Sequence, residues 1–438
     1  MEKKMVKEIV VEPVTRLEGH GGLRIVIGDD GKVKDAQFNI TSTRFFEKFC
    51  EGRYCEHVPR ITPRICGICP IPHHLAPTKA VEDAWGVEIP TPALKLRQLL
   101  MNAKQYSSHM LHFYALAAPD FLLGPFADPA LRNVVHVINK MPDVGAMALK
   151  MMDFGQKLCA EIGGKSVHPV SAIVGGMKKP MDEAARDKFL KMVPEQVDFM
   201  LKTVDIALKV VTDYWDVVAN VGVVPTYYLG MTKNGVHDIY EGDLRIVTPD
   251  GKKIDYDVHN YLDVIGEHIP DHSYATHTYY KPAGYPDGIY RANTLAMTNC
   301  ADKMATPLAD GALKEMKAKI GDVSHHTFAY HWARIIEAVE AIELIAQYLE
   351  DPDIVNPDCK TLDVEPREGN GVGVVEAPRG ILLYNIWSDD QGICKKLNLL
   401  VATNHNIAGI EKTLMHVAKQ VFEDKALEGL KLPDPWIK

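Results

Sequence analysis

Arg64-Ile65-Cys66-Gly67-Ile68-Cys69-Pro70-Ile71-Pro72-His73 is the stretch on which the reading of this chain turns. Two thiols three residues apart can chelate one soft cation. Gly67 removes side-chain bulk between them, so backbone can approach a metal closely. His73 follows where it can ligate directly or hydrogen-bond a thiolate. The spacing alone also fits a redox dithiol or a pair of inert cysteines. A thioredoxin-type pair lacks its strand-then-helix setting here. A zinc ribbon would need a second C-x-x-C, which Cys50, Cys55, Cys159, Cys300, Cys359 and Cys394 do not form. If Cys66 and Cys69 hold a metal, further ligands come from scattered residues, a cofactor or another polypeptide.

The surrounding chain has ordinary globular composition, 46% hydrophobic and 24% charged, which excludes disorder as its overall state. Its 438 residues suffice for about three domain-sized units or one large core with excursions. Acidic residues outnumber basic ones, 58 to 49, for a net charge of −9. That argues against a chain whose main role is binding nucleic acid or an anionic membrane. Met1-Glu2-Lys3-Lys4 is basic enough to begin an export signal, but Lys7, Glu8 and Glu12 interrupt it before an apolar run forms. Apolar runs elsewhere fall short of the ~18 residues that a membrane span needs. A cytoplasmic protein is expected, its cysteines free and mostly buried.

Coarse patterning predicts strands at Ile9–Val14, Leu23–Ile27 and Val33–Ile40, with Gly28-Asp29-Asp30-Gly31 as a hairpin turn. Thr91-Pro92 reads as a helix start, and a helical pattern runs from there to just before Pro119. Further helical patterns occupy about 128–160, 180–219, 301–349 and 402–427. A second hairpin joins Leu244–Val247 to Ile254–Val258 through Pro249-Asp250-Gly251. Residues 350–374, rich in Pro, Gly and Asp, read as a surface excursion. The fold class expected is α+β and mainly α, a long helical bundle core with small antiparallel β appendages.

Other segments look chemical. Thr15-Arg16-Leu17-Glu18-Gly19-His20 places a carboxylate in a glycine-flanked bend. Gly163-Gly164-Lys165-Ser166-Val167-His168-Pro169 suggests a phosphate loop but lacks the G-x-x-x-x-G-K-[ST] frame. Glu376-Ala377-Pro378-Arg379-Gly380 puts a guanidinium where a strand becomes a turn. Singly, Glu18 fits a cap or salt bridge, Arg379 an ion pair and His168 a loop histidine.

Together they resemble the nickel-binding large subunit of [NiFe] hydrogenases, over essentially the whole chain. The segments that carry the resemblance are Glu12–His20, Glu47 with Arg64–His73, His109–Asp120, Gly163–Gly176, Glu376–Gly380 and Leu399–Asn406. The branch most similar is the cytoplasmic, methanogen-type one that does not reduce F420 and works with heterodisulfide reductase. The resemblance implies one large-subunit domain over 1–438. Within it lie a β-rich 1–90 with the first metal motif, a helical 91–222, a strand- and loop-rich 223–300, and a helical 301–438 with the canopy motif.

It implies further that Cys66 and Cys69 bind nickel, Cys69 also bridging to an iron that carries one carbon monoxide and two cyanides. Glu18 is then the first proton carrier. Glu47 and the Leu399 carbonyl are ligands of a Mg2+ (or Fe2+) ion. Arg379 and Asp120 form a polar canopy, and Pro378, Ala402, Thr403 and His73 surround the cofactor. The activity implied is reversible H2 oxidation. The partners are an Fe–S small subunit, a further Fe–S electron-transfer protein and heterodisulfide reductase. Two other readings share these motifs: a non-turnover H2-sensing or assembly subunit, and a quinone-module scaffold like that of respiratory complex I. Cys66, Cys69 and Glu18 speak against the latter.

Departures from the family pattern carry their own expectation. Relatives end on Asp-Pro-Cys-x-x-Cys-x-x-His, whereas this sequence ends Leu432-Pro433-Asp434-Pro435-Trp436-Ile437-Lys438. A split form is expected, in which a short separate peptide bearing selenocysteine or cysteine completes the nickel site; a truncated sequence is the rival. Phe45 stands where glycine is usual, and His405 where many relatives have tryptophan.

Overall fold

Alternating apolar residues at the start of the chain build an antiparallel meander of β1 (Lys7–Val11), β2 (Gly22–Ile27) and β3 (Val33–Asn39). The expected turn closes β2 onto β3, with Gly31 at φ 75°. The structure is a computed structural model describing residues 7–426 and 428–436. The Met1–Lys4 start and Ile437–Lys438 lie outside the described residues.

Helix α1 (Pro72–Trp85) begins just after the C-x-x-C motif, with Pro72 in its first turn, and stops at Gly86, φ 66°. Helix α2 (Thr91–Leu111) starts where predicted. It does not stop before Pro119: a π-helical stretch, His112–Ala117, leads into a short helix Ala118–Leu122. Pro119, which has no N–H to donate, follows closely on this π-helical stretch, a local irregularity of the kind that lets a helix run past a proline. The pattern expected over 128–160 breaks at Met141, and Pro142 restarts it as α3 (Pro142–Gly163). Helix α4 (Glu183–Asp213) is capped by Asp182, whose carboxylate accepts the Ala184 and Ala185 N–H groups at 2.9 and 3.3 Å. Two more, α5 (Pro307–Ile320) and α6 (Ala329–Glu350), follow, and α7 (Ala402–Phe422) comes last.

Helices α2, α3, α4 and α6 pack in a ring, each against the next, and enclose the main apolar core. Arg97 of α2 is fully buried and forks onto Glu82 of α1 at 2.6 and 2.8 Å. It also donates to the carbonyls of Ile173 (2.9 Å) and Gly176 (2.8 Å), so one guanidinium ties α1 and the 172–177 turn to the bundle.

The strand-rich middle contains β4 (Tyr227–Lys233), β5 (Asp243–Val247) and β6 (Lys253–Tyr256), with the predicted hairpin between β5 and β6. Beside them β7 (Ile265–His268) pairs with β8 (His277–Tyr280). A further antiparallel sheet, β9 (Gly369–Ala377), β10 (Gly380–Ser388) and β11 (Cys394–Leu400), stands where 350–374 reads as surface and 301–438 as helical. The glycines that gave the segment a loop-like composition make a docking face instead. A Cβ at Gly369, Gly371 or Gly373 would lie 2.0, 2.1 or 2.0 Å from the carbonyl oxygens of Ala84, Ala80 and Ala76, one stripe of α1. Helix α1 therefore seats flush on β9, and the end of β9 is the Pro378-Arg379 turn. The fold is mixed α+β, dominated by long helices with small antiparallel sheets. All eight cysteines are free. Among the described residues no helix is long and apolar enough to cross a membrane.

Candidate metal centre

Cys66 follows a short helical turn, Thr62–Ile65, in extended backbone, and Cys69 sits just before α1. The Cys69 N–H donates to the Cys66 sulfur at 3.2 Å. The Cys69 thiol donates to the same sulfur, which pulls the Cys66 pKa down to about 7 and pushes that of Cys69 well up. One proton is thus shared between two convergent sulfurs, close enough for both to bind one soft cation.

Arg379, in the β9–β10 turn, lies within electrostatic reach of this pair. Its Nη1 donates to Ser108 Oγ of α2, while Nη2 is buried without a partner. Burial lowers its pKa, and the charges that oppose this are those of Cys69, Cys66 and Glu18. Lys104, one turn before Ser108, is also buried and within electrostatic reach of both sulfurs; burial lowers its pKa too. Two cations therefore face the thiols, an arrangement that favours thiolate.

The backing is a set of buried polar pairs and short chains. His73 is buried and kept neutral, its pKa pulled down to about 3 by burial, and its Nδ1 meets the Tyr384 hydroxyl at 2.6 Å. Pro378 is buried, and its carbonyl accepts from Arg334 at 3.1 Å. Arg334 approaches His109 at 3.4 Å, and His109 bonds Glu337 at 2.9 Å. Glu376, two residues before Pro378, meets His237 at 3.0 Å, whose other ring nitrogen meets Glu340. Gly380 closes the turn at φ 128°; a Cβ there would lie 1.8 Å from the Ala292 carbonyl oxygen, so no other residue fits.

Helix α7 brings its first turn to the same place. Asn406 Nδ2 donates to the carbonyls of Arg379 (3.1 Å) and Ala402 (2.9 Å). Ala402 is half-buried and Thr403 exposed. His405 is a core residue, bonded to Tyr290 at 2.7 Å. At the surface nearby, Glu47 Oε1 accepts the Leu399 N–H at 2.7 Å, and partial desolvation raises its pKa. Phe45, which starts the Glu47 helix, has φ 49°, a left-handed value that favours glycine.

Glu18 lies on the exposed side, near enough for its charge to act on Cys66 and Arg379. Asp120 does not bond Arg379: it forks onto Arg16 at 2.7 and 2.9 Å and reaches Arg132 at 3.4 Å. Of the candidates, Cys66, Cys69, Arg379, Pro378, His73 and Glu18 converge; Glu47 and Leu399 form a second locus. Sequence reasoning missed Lys104, Ser108, Arg334, Tyr384 and Asn406. Asn406 ends one of the family-like segments and Ser108 adjoins another, but spacing alone does not give the direction of a side chain.

Residues 44–124 match the nickel-dependent hydrogenase family, and residues 8–43 a HoxL-like family. A vhu subunit of the F420-non-reducing hydrogenase of Methanocaldococcus jannaschii is 48% identical over 417 residues, 95% of this chain and 100% of that protein. The chain belongs to the [NiFe] hydrogenase large-subunit family. The crystal structure of a NAD+-reducing [NiFe]-hydrogenase in the H2-reduced state superposes with a TM-score of 0.88 at 31% identity, covering 96% of this chain and 98% of that one. The Ni-Fe-Se hydrogenase of D. vulgaris Hildenborough shares the fold, with a TM-score of 0.78 at 22% identity over 95% of this chain and 98% of that one. Within this large-subunit family fold, the convergence of Cys66, Cys69 and Arg379 lies where α1, the β9–β10 turn and α7 meet.

Proposed function

We propose that this chain is the catalytic large subunit of a cytoplasmic F420-non-reducing hydrogenase, splitting H2 reversibly into protons and electrons. The observation that carries the reading is the buried, partnerless Nη2 of Arg379 within electrostatic reach of the Cys66–Cys69 pair. The residues present fit the Ni–Fe group. Two soft sulfurs converge, two cations stabilise their thiolate charge, and an orphaned guanidinium donor awaits an acceptor such as a cyanide nitrogen. Cys66 and Cys69 would hold the Ni–Fe group, and Pro378, Ala402, Thr403 and Arg379 would surround its carbon monoxide and two cyanides. When bound, the group supplies the electron-rich site at which H2 is cleaved heterolytically.

This chain's residues then do the rest. Glu18 moves protons between the Cys66 sulfur and the exterior. Asp120 is a positioning residue: its fork on Arg16 fixes the bend that carries Glu18, two residues on. His73 and Tyr384 orient the surroundings of Cys69. Glu47 and the Leu399 carbonyl hold Mg2+ or Fe2+, hard oxygen ligands for a hard cation. Further nickel thiolates would come from polypeptide outside these 438 residues. Electrons leave through an Fe–S small subunit, a further Fe–S protein and heterodisulfide reductase. The 438 residues act as one unit.

The test is the isolated complex. Cys69→Ser is expected to lose nickel, iron or both, because a hydroxyl cannot replace a bridging thiolate. Glu18→Gln is expected to keep the metals and the infrared bands of CO and CN while H/D exchange falls at least roughly tenfold. Full metal content and turnover in Cys69→Ser would end the assignment. A wild-type complex with the metals in place but no H2 turnover would point to a sensing subunit.

A further inference from the structure

Away from this centre, His272, His277 and Glu411 bring three ligand atoms within 4.8 Å of one another, from the β7–β8 loop, β8 and α7. His277 is 1% exposed, yet its Nε2 has no hydrogen-bond partner. That nitrogen points at Glu411 Oε2 from 3.8 Å, too far for a hydrogen bond and close to the spacing of two ligands on one ion. In a tetrahedral zinc site with bonds of ~2.0–2.1 Å, ligand atoms lie about 3.3 Å apart. Glu411 Oε1 accepts the Phe38 N–H (2.9 Å) and meets His272 Nε2 (2.5 Å), so Oε2 is the oxygen left for the ion, and on binding His272 Nε2 would exchange that part-buried hydrogen bond for the metal. On the far side of the ring, His277 Nδ1 faces the Tyr285 hydroxyl at 3.4 Å, where an outer partner that fixes a ligand histidine's tautomer belongs.

We infer that His272, His277 and Glu411 form a binding site for a borderline divalent cation of the zinc class. Two imidazoles and one carboxylate are a zinc donor set, and the fourth position is left to water or a further ligand. His272 and Glu411 are 22% and 15% exposed, which leaves an entry route that a sealed cluster would lack. Among the described residues the other cluster of this kind, His237, Glu337 and Glu376, is fully buried, and both ring nitrogens of its histidine are engaged by carboxylates. An ion at the His272 site would join α7 to β8 and, through Glu411, to β3. It would brace the helix whose first turn holds Ala402 and Asn406 beside Arg379.

The test uses the purified complex, stripped with a chelator and titrated with Zn2+. One further equivalent of zinc is expected, with an X-ray absorption shell of nitrogen and oxygen, imidazole scattering and no sulfur. His277→Ala and Glu411→Gln should each lose that zinc with nickel and iron contents unchanged. Tyr285→Phe should weaken binding by roughly 10- to 100-fold. Should His277→Ala fail to fold, His272→Ala at the site's rim carries the same expectation. Sulfur in the zinc shell, equal zinc uptake by the wild type and either histidine variant, or no zinc bound at micromolar concentration would each overturn the site.

Discussion

Arg379 illustrates what one side chain contributes that its charge alone does not. Its guanidinium donates to Ser108 through Nη1 and keeps Nη2 buried and unpartnered, within electrostatic reach of the sulfur pair, two donors in a fixed fork. A lysine carries the same charge on a single rotatable head and cannot serve both directions. Arg379→Lys is therefore expected to keep nickel and iron, while losing one charge-assisted hydrogen bond, about 1.5–3 kcal/mol, or roughly 10- to 100-fold in H2 uptake. Unchanged uptake would assign Arg379 to the ion-pair role that its position in the sequence also allowed. Phe45 is the reverse case. Its type is unusual for φ 49°, and the chain accepts strain of about 1–2 kcal/mol where Glu47 is set in place.

At the scale of elements, the contact that positions the centre is glycine on alanine. Gly369, Gly371 and Gly373 alternate along β9, and Ala76, Ala80 and Ala84 recur every fourth residue along α1. Strand period two thus meets helix period close to four, and backbone rests on backbone. Gly373→Ala would place a Cβ 2.0 Å from the Ala76 oxygen and 2.5 Å from the Ala80 nitrogen. A destabilisation of about 3 kcal/mol is expected, read as a lower urea midpoint, with metal content falling because α1 carries His73. Gly311 is the control. It lies inside α5 with nothing within 4 Å of an added Cβ, so Gly311→Ala should raise stability by about 0.8–1 kcal/mol.

Across the whole molecule, buried histidines couple the fold to pH. His74 must be neutral, because its Nδ1–H donates to the Pro59 carbonyl at 2.6 Å and its Nε2 accepts the Ala172 N–H at 3.2 Å. Burial pushes its pKa down to about 4. In the unfolded chain the same ring titrates near 6.5. As pH falls the unfolded chain takes up the proton first. The contribution of His74 is therefore complete above about 6.5 and is lost as pH drops towards 4, at about 1.4 kcal/mol per pH unit for one proton. His73, at about 3, and His405, at about 4, act in the same sense. The urea midpoint should fall between pH 7 and pH 5, and His74→Asn should flatten that fall by one proton's share. An unchanged slope would mean that His74 binds no extra proton on unfolding.

Residue order alone dictates the local features: the Cys66-x-x-Cys69 spacing, the glycine-closed turn that carries Arg379, the first meander and the β5–β6 hairpin. Each is written in neighbouring residues, because spacing and turn chemistry act over a few positions. What those groups face is settled only by packing. Nothing local tells that Lys104 and Ser108, on a continuous helix, turn towards sulfurs nearly forty positions earlier in the chain. Nor does local composition tell that Asp120 is claimed by Arg16, or that a glycine-rich stretch is a buried strand rather than a loop. Composition records which side chains are small, whereas burial depends on what packs against them, and for β9 that partner is α1, almost three hundred residues away.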